Sequence, residues 1–308
     1  MKPVANEEIY KYMQQRMAER IARIEQVCLR EEAPNKTTVE NAKKIAWHMT
    51  EVLREHRLLV CVVHKAGSST WNTIAARRYN KEDLIKSEDT HVMVSVLKAR
   101  TFKSYRRMCN SPRYRKILMA RNPFERVLSA FLNRVVAPGL ISDQAKTYVP
   151  EVLFYNRGIR FEESDVFDSD GRLKIFPTFS EFINYLVTLN PETYDPHWIP
   201  VSIQCGICKI KYDAVLLTET LSEDLQYIMM MSGLDKKVNP SLALEHRNKA
   251  VTDTRKLLAT YYSTLKLEII KKFIEIYHLD FSLFHYDPDS IFDYISFNKT
   301  DLLTEKLK

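Results

Sequence analysis

Leu58-Leu-Val-Cys-Val-Val-His-Lys65-Ala-Gly67-Ser-Ser-Thr-Trp71 is the stretch on which the fold turns. Its first six residues, Leu58–Val63, are a continuous apolar run rich in β-branched side chains, the pattern of a strand covered on both faces. A small-residue loop with a lysine follows, and a helix is predicted from about Thr70 to Tyr79. Strand, loop and helix start in this order form a common phosphate cradle, because backbone N–H groups at the helix start point at the anion. In such a cradle Lys65 neutralises charge and Gly67 allows close approach of the backbone. Ala66 keeps the turn small, and Ser68, Ser69 and Thr70 offer hydroxyls. The GxxxxGK[ST] spacing of the Walker loop is absent. Taken alone, the stretch is equally compatible with an ordinary turn capped by Ser or Thr.

A second strand-to-helix junction lies downstream, in Ile117-Leu-Met-Ala-Arg121-Asn-Pro123-Phe-Glu-Arg-Val-Leu-Ser129-Ala-Phe131. Lys116–Ala120 reads as a short buried strand, and Pro123 suits the first position of a helix reaching about Val136. Arg121 stands where the strand ends, and a guanidinium suits bidentate phosphate binding. Ser129 lies two helical turns on. Phe124, Val127, Leu128 and Phe131 form the apolar face of this helix, while Glu125 and Arg126 read as charges that pair with neighbours on a solvated face.

Outward from these junctions, Ile9, Met13, Met17, Ile21 and Ile24 recur at helical spacing. The capping box Thr37-Thr-Val-Glu40 opens a second helical run to about His56. His91–Val96 reads as a short strand or the lead into a helix, and Tyr148–Lys174 as a long irregular loop. Thr178-Phe-Ser-Glu181 is another capping box, opening a helix to about Leu189. Tyr212–Leu217 is a third buried strand, with a helix from about Ser222, and one long helix is expected over Thr252–Tyr277. Strands separated by helices predict an α/β fold with a central parallel sheet flanked by helices. The organisation expected is a single domain over residues 57–308 with an N-terminal helical extension over 1–56.

The chain has 308 residues, 46 Lys+Arg against 39 Asp+Glu for a net charge of +7, and 45% hydrophobic residues, which excludes disordered, collagenous and low-complexity classes. The longest purely apolar run, Leu58–Val63, is far below the ~20 residues of a membrane span. Met1–Arg20 is charged throughout and is expected to be neither signal peptide nor anchor. Cys205-Gly-Ile-Cys208 is a lone CxxC without the further ligands of a zinc site, so these are read as structural cysteines with oxidation left open. Asn35-Lys-Thr37 and Asn298-Lys-Thr300 are sequons that matter only in a secretory lumen.

Together the two junctions resemble the nucleotide-binding elements of sulfotransferases that use 3′-phosphoadenosine-5′-phosphosulfate (PAPS). The match is close to the Golgi carbohydrate sulfotransferases of the chondroitin 4-O, dermatan 4-O and HNK-1 group. That family's Pro-Lys-x-Gly/Ala-Cys-Thr/Ser-Asn-Trp loop is similar to His64-Lys-Ala-Gly-Ser-Ser-Thr-Trp71. Its Arg-[Asp/Glu]-Pro-Phe-Glu-Arg-Leu-Val-Ser-Ala element is similar to Arg121–Ala130. The departures are His64 for Pro, Ser68 for Cys, Thr70 for Asn and Asn122 for the acid. Further likeness lies in His197-Trp198-x-Pro200, the CxxC, Tyr212-Asp213, Glu219-Thr220, Asp224 and Asp280-Phe-x-Leu-Phe284-x-Tyr286, so that it spans roughly residues 57–287.

The resemblance implies a single P-loop-like domain that transfers a sulfuryl group from PAPS to a glycan hydroxyl, with O4 of N-acetylgalactosamine in chondroitin- or dermatan-type chains as the acceptor chosen by analogy. It implies that Lys65, Ala66, Gly67, Ser68, Ser69, Thr70 and Trp71 hold the 5′-phosphosulfate, and that Arg121 and Ser129 hold the 3′-phosphate. Lys65 would also balance charge on the leaving oxygen, and no metal is required. The resemblance points to a histidine as base: His91, in a segment similar to the His-Val-Ser stretch of related sulfotransferases, is the first candidate and His197 the second, with His64 behind them. Arg247, in a polar stretch before the last long helix, is a further binding candidate. An acidic glycan is the partner implied, with no nucleic acid. The location implied is the Golgi lumen behind an N-terminal membrane anchor absent from these residues, with 1–56 as its stem. Three other readings compete. An ATP-using kinase or nucleotidase would want the Walker lysine-serine pair and metal acids. A nucleic-acid module would want a basic stripe with interleaved aromatics. A sulfotransferase-like protein that only binds glycans is opposed by the retention of Lys65, Arg121 and an intervening histidine.

Overall fold

The computed structural model describes residues 3–30, 38–80, 96–137, 139, 142–241 and 251–295. In chain order its main elements are α1 (Pro3–Arg30), α2 (Val39–His48), β1 (Thr50–Leu53), β2 (Leu58–Cys61), α3 (Ser68–Arg78), α4 (Phe102–Cys109) and β3 (Arg115–Ala120). There follow α5 (Pro123–Ala130), α6 (Asp143–Arg157), α7 (Phe179–Leu186), β4 (Ala214–Leu217), α8 (Leu221–Ser232), α9 (Val251–Tyr262) and α10 (Leu267–Phe284). The chain forms two compact units, one of Met1–Arg121 with Val201–Asn248, the other of Asn122–Pro200 with Lys249–Lys308.

The first unit contains the four-stranded sheet, in the order β1-β2-β3-β4. The three strands expected from their apolar runs are parallel, with Leu58 opposite Arg115 and Ile117 opposite Ala214. The edge is different. β1 runs antiparallel to β2, with Thr50 opposite Cys61 and Leu53 opposite Leu58. The helical run predicted to reach His56 therefore stops at His48, and the sheet is mixed rather than wholly parallel. The apolar periodicity of α2 continues smoothly through Val52 and Leu53, so the change of period is invisible locally. A 3₁₀ turn over Arg54–His56, closed by Arg57 in the left-handed region, folds β1 back onto β2.

α1 is held to the same unit by a buried polar cluster. Arg20 donates to Asp224 (2.7 Å), to the Val215 carbonyl (2.8 Å) and to Thr220 (2.8 Å). Asp224 has no exposed surface and also accepts from the Leu217 amide (3.0 Å). Met13, Met17 and Ile24, three members of the predicted stripe, are buried. Two disulfides complete the unit, Cys28–Cys208 and Cys61–Cys205. The CxxC cysteines are thus structural and oxidised, each to a distant partner rather than to each other. Among the described residues no helix is long and apolar enough to cross a membrane.

The second unit is built around aromatic side chains. Phe124 stacks on Phe273 (5.2 Å between centroids) and meets Tyr262 edge-on, whose hydroxyl donates to the Phe124 carbonyl (3.0 Å). α7 begins at the predicted capping box, with Thr178 and Glu181 each bonding the other's backbone N–H. Two expectations fail here. The supposed irregular loop begins inside α6, a 15-residue helix capped by Ser142 and ended by Gly158 at φ 69°. Pro150 inside α6 hid it, although Ala145, Val149, Val152 and Leu153 keep helical spacing and are buried. The single long helix expected at the C-terminal end is two, α9 and α10. Thr264 donates its hydroxyl to the Tyr261 carbonyl (2.6 Å), a local bond that competes with helix continuation.

Glu51 stands out in the sheet because its side chain is fully buried beside apolar neighbours. Desolvation pushes its carboxyl up from 4.5 to about 7, while a hydrogen bond from Trp71 works in the opposite direction. The folded state therefore binds a proton more tightly than the unfolded chain. Its stabilising contribution is complete below about pH 4.5 and is lost as the pH rises through about 7. Urea unfolding of wild type and Glu51→Gln at about pH 5 and about pH 8 is expected to show the variant gaining on wild type by ~3 kcal/mol at the higher pH. An equal difference at both pH values would contradict the burial of an ionisable Glu51.

Candidate functional site

The first junction forms as the sequence predicts. β2 ends at Cys61, Val62 and Val63 continue fully buried, and α3 starts at Ser68. Lys65 (φ 65°) and Gly67 (φ 93°) both lie in the left-handed region, which lets the chain reverse within a few residues. The turn is closed by Ala66 N–H to the Val63 carbonyl (3.2 Å) and by Trp71 N–H to the Gly67 carbonyl (3.2 Å). Gly67 occupies the N-cap of α3 and brings no side-chain cap. The amides at the first turn of this 11-residue helix are thus available to an anion. Ser69 is exposed and Lys65 and Gly67 are half-buried, whereas Ala66, Ser68, Thr70 and Trp71 are buried.

The loop is braced from several sides within its unit. Arg121 Nη1 donates to the Lys65 carbonyl (3.2 Å), so the residue at the end of β3 is joined to the loop after β2. Gln204 Nε2 donates to the Val62 carbonyl (3.0 Å), and the Cys61–Cys205 bridge lies one residue away. Trp71 Nε1 donates to Glu51 (2.8 Å). Two cationic side chains and a helix start are therefore gathered where two parallel strands end, the usual place for a ligand in an open α/β sheet. Among the described residues no group of three or more His, Cys, Asp or Glu is arranged to hold a metal ion.

Ser129 and His197 belong to the second unit. Ser129 is half-buried on α5, and the five residues Phe131–Val135 continue that helix as a π-helical segment. Asn122 caps α5, its side chain accepting from the Phe124 amide (3.0 Å). Arg126 is not on a solvated face as expected. It is 1% exposed and donates to the carbonyls of Ile199 (2.6 Å) and Pro196 (3.0 Å), pinning the loop that carries His197.

His197 is itself 1% exposed, and Asp195 Oδ1 receives both its Nδ1 (2.6 Å) and its backbone N–H (2.8 Å). Burial works to raise the Asp195 carboxyl, but these bonds, with one from Gln144 (3.1 Å), bring it below its ordinary value. Asp195 and Glu51 are residues that motif reading passed over. The available signals were an acid two positions before His197 and an acid directly before the apolar pair Val52-Leu53. His91 and Arg247 lie outside the described residues.

The family model described as "Sulfotransferase family" matches residues 48–287. Carbohydrate sulfotransferase 14 of Danio rerio is 28% identical over 245 residues, covering 78% of this chain and 63% of that protein. Carbohydrate sulfotransferase 11 of Mus musculus is 26% identical over 240 residues, covering 75% of this chain and 65% of that protein. Carbohydrate sulfotransferase 9 of Homo sapiens is 29% identical over 241 residues, with 75% and 52% covered. The chain thus spans somewhat under two thirds of the length of the curated relatives it matches. No solved structure gives a significant match.

The turn itself is testable. A Cβ added at Gly67 would clash with Leu221 Cδ2, at a φ that side chains rarely adopt. Gly67→Ala is expected to lower the urea-unfolding free energy by ~1–2 kcal/mol. Unchanged stability would mean that Gly67 is not held in this conformation.

Proposed function

The chain belongs to the sulfotransferase family, and from that premise we propose that it transfers a sulfuryl group from PAPS to a hydroxyl of a glycan. The observation that carries this reading is the braced loop Lys65–Trp71, joined through its Lys65 carbonyl to Arg121 at the end of the neighbouring strand. Bound there, PAPS would supply the activated sulfuryl group and the phosphate leaving group.

The chain's own residues have three tasks. The amides of the first turn of α3, with the exposed hydroxyl of Ser69, hold the anionic 5′ end of the nucleotide. The Lys65 ammonium balances the negative charge that grows on the bridging oxygen, a preorganised electrostatic role. Arg121, at the neighbouring strand end, provides a guanidinium for a second phosphate. The acceptor hydroxyl must lose a proton, and His91 is proposed as the base on the resemblance of its segment. His197 is the next candidate, although its bonds to Asp195 also suit it to holding its own loop in shape.

For the acceptor we propose an acidic glycan, with O4 of N-acetylgalactosamine in chondroitin- or dermatan-type chains as the first hydroxyl to test. The proposed compartment is the Golgi lumen. The two disulfides support an oxidising location, since such bonds persist in secretory compartments.

Incubation with radiolabelled PAPS and a panel of desulfated polysaccharides, followed by disaccharide analysis, tests the reaction and the acceptor together. Label is expected in chondroitin-type acceptors; nucleotide binding with no transfer to any acceptor would replace the enzyme by a glycan-binding protein. Lys65→Ala is expected to lower kcat by about 100-fold or more, and Arg121→Ala to raise KM for PAPS while leaving KM for the acceptor unchanged. Loss of turnover with intact nucleotide binding is expected for His91→Ala. Near-normal turnover in that variant would remove His91 as the base and make His197→Ala the next measurement.

A further inference from the structure

Glu51 has no part in the motifs that suggest the activity, yet it is the buried acid that touches the phosphate loop's own helix. It lies in β1, opposite Val60 of β2. One carboxylate oxygen accepts from Trp71 Nε1 at 2.8 Å. The other lies 3.1 Å from the Asn72 amide, oriented so that its nitrogen donates; the same nitrogen reaches the Ser68 carbonyl at 3.3 Å. A single carboxylate thus binds the fourth and fifth residues of α3 and, through Asn72, the first.

An acid here is costly. Burying a carboxylate without a paired cation is unfavourable, and only the bonds it accepts from Trp71 and Asn72 offset that cost. Those bonds all fall on the start of α3, so the geometry of the helix start is what the acid serves. The amides of Ser68, Ser69 and Thr70 point where the first turn of α3 points. That turn is anchored at its base by the Glu51 bonds and at its mouth by the bond from Trp71 N–H to the Gly67 carbonyl. We propose that Glu51 is a positioning residue for nucleotide binding and sulfuryl transfer: it fixes the rotation of α3 about its axis, and so the aim of the loop amides and of Lys65. This rests on the proposal that the loop holds the phosphosulfate end of PAPS.

Calorimetric binding of 3′-phosphoadenosine-5′-phosphate, the nucleotide product, separates the two claims, because it requires no acceptor. Wild type is expected to bind. Failure of wild type to bind would remove the nucleotide reading and this proposal with it. Glu51→Leu keeps the volume and removes the hydrogen bonds; it leaves the buried Trp71 Nε1 without its acceptor and is expected to unfold at a modestly lower temperature while remaining folded under assay conditions. It should bind the nucleotide about tenfold more weakly and raise KM for PAPS without changing KM for the acceptor. Glu51→Gln, which retains an acceptor for Trp71 and polar contact with Asn72, should restore binding to within about threefold of wild type. Wild-type affinity in a folded Glu51→Leu protein overturns the proposal. If that variant fails to fold, Trp71→Phe removes the indole donor alone, and undiminished nucleotide affinity there overturns it equally.

Discussion

A strand covered on both faces has to release the chain into a helix whose first amides remain unsatisfied by the helix itself, and the sheet unit is organised around holding that turn. Left-handed backbone at Lys65 and Gly67 is unfavourable unless its surroundings determine it. Here they do so from four directions. Gln204 bonds the Val62 carbonyl, Arg121 bonds the Lys65 carbonyl, Glu51 bonds Trp71, and a disulfide ties Cys61 to Cys205. Leu221, at the start of α8, fills the space a side chain on Gly67 would need. Remote segments of the chain therefore converge on a few residues of backbone, which gives an anion site its preorganised form.

The four departures from the family's motifs can be weighed on the same physical basis. Asn122 replaces an acid but caps α5 by accepting from the Phe124 amide, and Asn and Asp are about equally good at that position. Ser68 and Thr70 replace Cys and Asn, and both are buried, Thr70 at 5% exposure, so their side chains serve the packing of the turn. His64 replaces proline and is buried as well. The groups suited to an anion, Lys65, the exposed Ser69 and Arg121, are retained.

What was legible in the sequence was local. Leu58–Val63, Lys116–Ala120 and the Thr178–Glu181 capping box are decided by neighbours in the chain, and the structure places a strand or a helix start at each. What was not legible depended on distant partners. β1 is a strand because β2 lies beside it, not because of any period change after α2. The CxxC cysteines pair with residues 180 and 144 positions away, which spacing cannot reveal. Arg126 reads as a surface charge in the sequence, yet it is buried against the carbonyls of Pro196 and Ile199. The lysine loop and Arg121 are readable as motifs, whereas the acid that bonds Trp71 in the first unit and the acid that bonds His197 in the second emerge from the fold.

Amide hydrogen exchange with and without 3′-phosphoadenosine-5′-phosphate tests the central claim most directly, because it reads the backbone groups on which the account rests. Binding is predicted to slow exchange at the amides from Ala66 to Trp71, where the turn and the first residues of α3 meet the anion. Saturating nucleotide that protects other segments and leaves those amides unchanged would contradict it.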